Sequence, residues 1–219
     1  MQAWILFIFL LLGSYFASAQ KFIQAGWLGG RIIENHPEFP HVKKISSGIE
    51  LRAGMTLNGS KPWHRAYRFA DAGLTYANIG NAEVLGSFLS VIPEMTIPLK
   101  QKKKWNTSFT LGLGAAYFNK PFNKLTNRDN IVICSQFTFC ANAAFNAEYA
   151  WNENWAFCLR PQIYHASNSH SNLPNVGMNL PVFIAGVKYR IDKTPVINPD
   201  TITDFDKRIH FTIRGGLAY

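Results

Sequence analysis

The chain has 219 residues, a formal charge of +9, 14% aromatic residues and only 16% Asp, Glu, Lys and Arg. Three cysteines, Cys134, Cys140 and Cys158, are too few and odd in number for a disulfide framework. Beyond the first twenty residues no stretch is long and apolar enough for a transmembrane helix, and a chain rich in aromatics and glycine suits alternating strands better than amphipathic helices.

Residues 1–19 read as an export leader. The apolar run Ile5–Leu12 falls short of a spanning helix, and Ala17-Ser18-Ala19 has the small-x-small pattern of a cleavage site, although no basic residue precedes the run. No cysteine follows the site, which argues against a lipoprotein, and Gln20 becomes the expected first residue. About 200 residues remain, enough for one sizeable domain. An exported chain rarely meets nucleic acid, so its positive charge points to anionic lipid or lipopolysaccharide phosphates.

Segments 22–33, 65–79 and 84–98 read as less regular strands, with a bulge expected near Ala72-Gly73 and Pro93 awkward inside its strand. His36 and His41 flank Pro37 and Pro40 without zinc-ligand spacing, and no metal or cofactor is expected. Residues 48–57 alternate cleanly, with Ile49, Leu51, Ala53, Met55 and Leu57 opposite Glu50, Arg52 and Thr56. The run Lys100-Gln101-Lys102-Lys103-Lys104 reads first as a solvated turn. Residues 105–117, 137–151 and 183–191 repeat the alternation, with small and polar residues on the second face.

In residues 155–167 the apolar phase is Trp155, Phe157, Leu159, Pro161, Ile163, and it ends on His165 and Ser167. Cys140 and Cys158 fall on the inward phase as small buried side chains, a disulfide between them being the alternative. Trp105, Tyr117, Tyr149, Trp151, Trp155 and Tyr189 flank the apolar sets as interface girdles do. The expected fold is therefore all-β: an antiparallel transmembrane β-barrel of about eight strands over residues 20–192. Residues 193–219 would form a polar linker and a terminal strand, a ninth, with Ile209, Phe211, Ile213, Leu217 and Tyr219 in one phase. A soluble barrel carrying a small ligand is the rival, and it requires the odd-phase residues to face inward.

The turn at residues 152–154 is tight, whereas 119–130 and 168–180 are long, as outer loops are. Ten residues of about 3.3 Å each, tilted by about 40°, climb roughly 25 Å, which sets His165 and Ser167 at the outer rim of the apolar band. A serine nucleophile needs a base, and the base needs an acceptor that holds its tautomer. His-x-Ser alone is a weak signal, and by itself it reads first as two polar residues decorating a girdle.

The wider segment is more specific. His165, Ser167 and Asn168, a polar loop, then Pro174, Asn175 and Gly177 resemble the lipid A 3-O-deacylase (PagL) family of outer-membrane barrels. Leu111–Tyr117 and Ala185–Arg190 are similar to longer, acyloxyacyl-hydrolase-like chains of Bacteroidetes type. The resemblance implies an eight-stranded barrel that hydrolyses the 3-O acyl ester of lipid A without metal or cofactor. It implies Ser167 as nucleophile, His165 as general base, and Asn175 with backbone N–H groups at the oxyanion. The third member falls at Asn179, where the family pattern has glutamate; Asn168 and His170 are fallback partners, each read first as a loop or packing residue. An amide oxygen can fix a tautomer but supplies no charge for imidazolium. A non-catalytic, structural or lipopolysaccharide-binding barrel is therefore the alternative function.

Overall fold

The computed structural model describes residues 21–56, 69–169 and 171–191. Eight strands occupy them: β1 Lys21–Gly30, β2 Ser46–Thr56, β3 Phe69–Asn78, β4 Ser87–Gln101, β5 Trp105–Phe118, β6 Phe137–Ala150, β7 Trp155–Ser167 and β8 Met178–Arg190. Each pairs antiparallel with its neighbour in sequence, and β8 returns to β1, so the sheet closes and no edge is left to aggregate. The expected leader and the expected ninth strand lie outside the described residues. The barrel closes without them.

Alternation sorts the side chains between two environments. Outside, Trp27, Leu51, Tyr76, Leu113, Phe139, Phe157 and Phe183 are each about half exposed or more, as a lipid-facing surface demands. Inside, polar and charged residues interlock. Glu94 stands between two arginines, its Oε2 2.7 Å from Arg52 Nη2 and its Oε1 2.6 Å from Arg160 Nη2. Arg52 also meets Asp71 at 2.7 Å, and Arg160 Nη1 donates to Asn146 Oδ1 at 3.0 Å. Gly112 keeps the space clear: a Cβ there would lie 2.9 Å from Glu94 Cγ. Nearer one terminus, Glu148 pairs with Lys188 and with Arg190.

The interior changes character toward the other end. Leu28, Phe88, Phe118, Met178, Leu180 and Ile184 are buried there in one apolar cluster, with Phe88 5.9 Å from Phe118 and edge-on to Tyr164 at 5.6 Å. Tyr164 joins the two layers: its hydroxyl donates to Glu50 Oε2 at 2.9 Å and lies 2.8 Å from Thr75 Oγ1. Aromatic pairs mark both rims, Trp105–Tyr149 and Trp155–Tyr189 at one and Tyr117–Phe137 at the other. Outward apolar faces and a filled polar interior overturn the soluble, ligand-carrying barrel.

Two local expectations are corrected, one awkward residue is accommodated and one alternative falls. Pairing runs without a shift through Ala72 and Gly73, and the irregularity falls between Pro98 and Lys100. Pro93 sits in mid-strand because the ladder to β5 passes over it, from Val91 to Glu94, in one register. All three cysteines are free, with Cys140 and Cys158 buried, so the disulfide alternative is excluded. Finally, β8 starts at Met178, so the long loop is 168–177 and Asn179 belongs to the strand.

Removing Glu94 takes the nearest carboxylate from Arg160, leaving it Glu50 at 3.8 Å, and leaves Arg52 with Asp71 alone. Glu94→Ala is expected to lower unfolding stability by about 3–5 kcal/mol. Urea titration of refolded protein in lipid vesicles measures it, and an unchanged midpoint would remove the ionic cluster from this account.

Candidate active site

The end of β7 carries the site. Its burial alternates throughout, so Tyr164 and Ala166 are fully buried while His165 is exposed and Ser167 half-buried on the outward face. The buried pair packs into the apolar cluster with Met178 and Leu180 of β8, which makes a rigid platform beneath the outward residues. Register then sets the partners: His165 faces Asn179 of β8 and Ala141 of β6, and Ser167 faces Phe139.

Across that rung His165 Nδ1 is 2.8 Å from Asn179 Oδ1. A carbonyl oxygen only accepts, so Nδ1 is the donor in this contact. Ser167 Oγ accepts from Asn175 Nδ2 at 2.9 Å and from Ser169 N–H at 3.3 Å. No hydrogen bond joins His165 to Ser167. The two nevertheless border one small volume above Gly177. A Cβ on Gly177 would lie 3.8 Å from His165 Cε1 and 3.7 Å from Ser167 Cβ, and its φ of +83° also favours glycine.

The loop that delivers Asn175 is held from the side. Val176 N–H donates to Ile131 O and Gly177 N–H to Val132 O, both at 3.0 Å, tying loop 168–177 to the β5–β6 loop. Asn175 itself is buried, and its Oδ1 has no partner among the described residues. Asn168 takes a loop-packing place rather than one beside the hydroxyl. It is buried, and its amide nitrogen donates to Cys134 Sγ at 3.0 Å, Asn172 O at 3.1 Å and Ser135 Oγ at 3.3 Å. The structure thus brings His165, Asn179, Ser167 and Asn175 together and gives Asn168 to a clamp between loops. His170 lies outside the described residues.

Sequence reasoning missed three participants. Ser169 contributes only its N–H, with the backbone turned to a φ of +55°, and a main-chain donor has no residue signature. Cys134 and Ser135 enter through loop packing over a separation of more than thirty residues, which no local pattern encodes. Among the described residues no group of three His, Cys, Asp or Glu side chains could hold a metal ion.

Comparison with known proteins bears on the same region. The family model for lipid A 3-O-deacylase (PagL) matches residues 47–188, well over half of the chain. Neisserial surface protein A is similar in structure, with a TM-score of 0.51 and 10% identity over 78% of this chain and 96% of its own, a likeness of fold. The outer membrane enzyme PagL gives a TM-score of 0.42 with 18% identity over 78% of this chain and 99% of its own. Ail of Yersinia pestis gives 0.45 with 13% identity over 78% and 98%. No curated protein sequence matches significantly.

Gly177→Ala tests the shared volume. The left-handed backbone costs an alanine about 1–2 kcal/mol, a loss that thermal unfolding in detergent measures. The new methyl would touch both the imidazole edge and Ser167 Cβ, so labelling of Ser167 by a fluorophosphonate should fall further than stability does. Undiminished labelling would mean that the two side chains do not share that space.

Proposed function

The chain belongs to the lipid A 3-O-deacylase (PagL) family, and from that premise we propose that it is a serine esterase of the outer membrane that removes the 3-O acyl chain of lipid A. One observation carries the reading: His165, tautomer held by Asn179 at 2.8 Å, and Ser167 lie side by side on the lipid-facing surface. A lipid substrate can then offer its ester laterally, without leaving the bilayer.

In the proposed reaction Ser167 rotates from Asn175 toward His165, and Nε2 takes the hydroxyl proton as Oγ attacks the acyl carbonyl. The Nδ2 group of Asn175, released from the hydroxyl, donates to the carbonyl oxygen as it gains negative charge. His165 passes its proton to the departing sugar oxygen. Water, deprotonated by the same nitrogen, then frees the fatty acid from Ser167. Nothing in these steps calls on a metal or cofactor. Asn168 keeps the loop in place and takes no part in bond making.

Asn179 sets the rate in this scheme. It fixes the tautomer, but an uncharged acceptor stabilises imidazolium less than a carboxylate does. The second reading, a non-catalytic barrel that binds lipopolysaccharide or serves a structural role, draws on that neutrality and on the missing His165–Ser167 bond.

Mass spectrometry of lipid A from expressing cells separates the two. Loss of one acyl chain is expected with the intact protein. Ser167→Ala or His165→Ala should cut purified turnover by about 10³-fold or more, while Asn179→Glu should raise it about tenfold. An unchanged lipid A profile at good expression favours the binding barrel.

A further inference from the structure

The outward faces of β6, β7 and β8 carry no Lys, Arg, Asp or Glu. A cation fixed in the sheet beside the site comes instead from the far flank of β8. Although β1 ends at Gly30, its pairing with β8 continues: Arg31 N–H donates to Pro181 O at 3.3 Å and Ile33 N–H to Asn179 O at 2.9 Å. Ile32 between them is buried, so Arg31 and Ile33 share the outward phase of His165 and Asn179. One rung therefore runs Ile33–Asn179–His165, with Arg31 one repeat along β1. Two strand spacings put the Arg31 strand about 10 Å to the side of His165, the span of a sugar headgroup.

The guanidinium is oriented but not used up. Its Nη2 donates to Val42 O at 3.2 Å and lies 3.7 Å from Glu34 Oε1, and the side chain stays 64% exposed. Glu34 is engaged elsewhere, accepting from Val42 N–H at 3.3 Å and facing His41 Nδ1 at 3.7 Å. An exposed ion pair of that length contributes little. Nε and Nη1 have no partner among the described residues, which leaves donors of a planar fork suited to phosphate. At mid-depth such a residue would be ruinous; at the lip of the barrel it is tolerated and meets headgroups.

We propose that Arg31 binds a phosphate of the acylated amino-sugar substrate and so sets the ester in register with Ser167. This deepens the deacylase reading and rests on it. It also gives Asn179 a second consequence: a carboxylate there would stand one strand from the anion, and a neutral amide does not repel it.

Two glucosamine esters with the same acyl chain, one phosphorylated and one not, test the idea in mixed micelles. The wild type should prefer the phosphorylated ester in kcat/KM by about tenfold, mainly through KM, and rising salt should erode the preference. Arg31→Gln should bring the ratio close to one, and Arg31→Lys should restore part of it. A ratio unchanged by Arg31→Gln overturns the proposal. So does an Arg31 effect that appears only when the phosphate-free ester is presented with anionic phospholipid, because the phosphate then belongs to a bystander lipid.

Equilibrium binding of both esters to Ser167→Ala protein reads the same contact without turnover. Phosphate-dependent binding that disappears on adding Arg31→Gln, beside a wild type that cleaves neither ester, would keep this site and defeat the deacylase reading. Equal binding of the two esters would defeat the site alone.

Discussion

The ion cluster around Glu94 governs everything built above it. One carboxylate serves Arg52 of β2 and Arg160 of β7, and Asp71 of β3 shares the first arginine, so four strands are tied through the lumen. Buried charges are stable only when paired and hydrogen-bonded, as they are in this cluster. The cluster therefore fixes which face of β7 looks inward. Once Arg160 is inside, a period of two puts Ile163, His165 and Ser167 outside. A register slip of one residue would drive the arginine into lipid and the serine into the core.

Above the ionic layer the apolar cluster serves a different purpose. Tyr164 and Ala166 on β7, with Met178 and Leu180 on β8, pack into it at full burial. That packing holds the two strands whose outward residues make the His165–Asn179 rung. The loop carrying Asn175 has no such core and is fixed by main-chain bonds to Ile131 and Val132 and by the Asn168–Cys134 clamp. The proposed nucleophile and base thus sit on β7, and the residue proposed for the oxyanion sits on a loop buttressed by its neighbour.

Much of this was legible in the sequence, for physical reasons. A barrel with lipid outside and charge inside imposes strict alternation, and 48–57, 105–117 and 155–167 display it openly. Where glycine and alanine thin the pattern, as at Ala72-Gly73, the reading inferred a bulge that unbroken pairing excludes. Pro93 obscured β4, and with it Glu94, the residue on which the interior depends. Asn179 looked like loop because it is polar and follows a long loop, yet an interface position tolerates polarity in a strand. Asn168 reads first as a loop or packing residue, and parity from Ala166 puts it on the inward phase, where the structure finds it. The extension of the first strand to residue 33 was read correctly in outline, since β1 keeps pairing with β8 past Gly30.

The most direct measurement is the membrane exposure of neighbouring positions at the end of β7. Spin labels at Ser167→Cys and Ala166→Cys, in protein whose native cysteines are replaced, can be compared by oxygen collision in bilayers. This account predicts a label at 167 that collides freely with oxygen dissolved in lipid, and a label at 166 that is shielded or prevents folding. A shielded label at 167 beside a lipid-exposed one at 166 would contradict it.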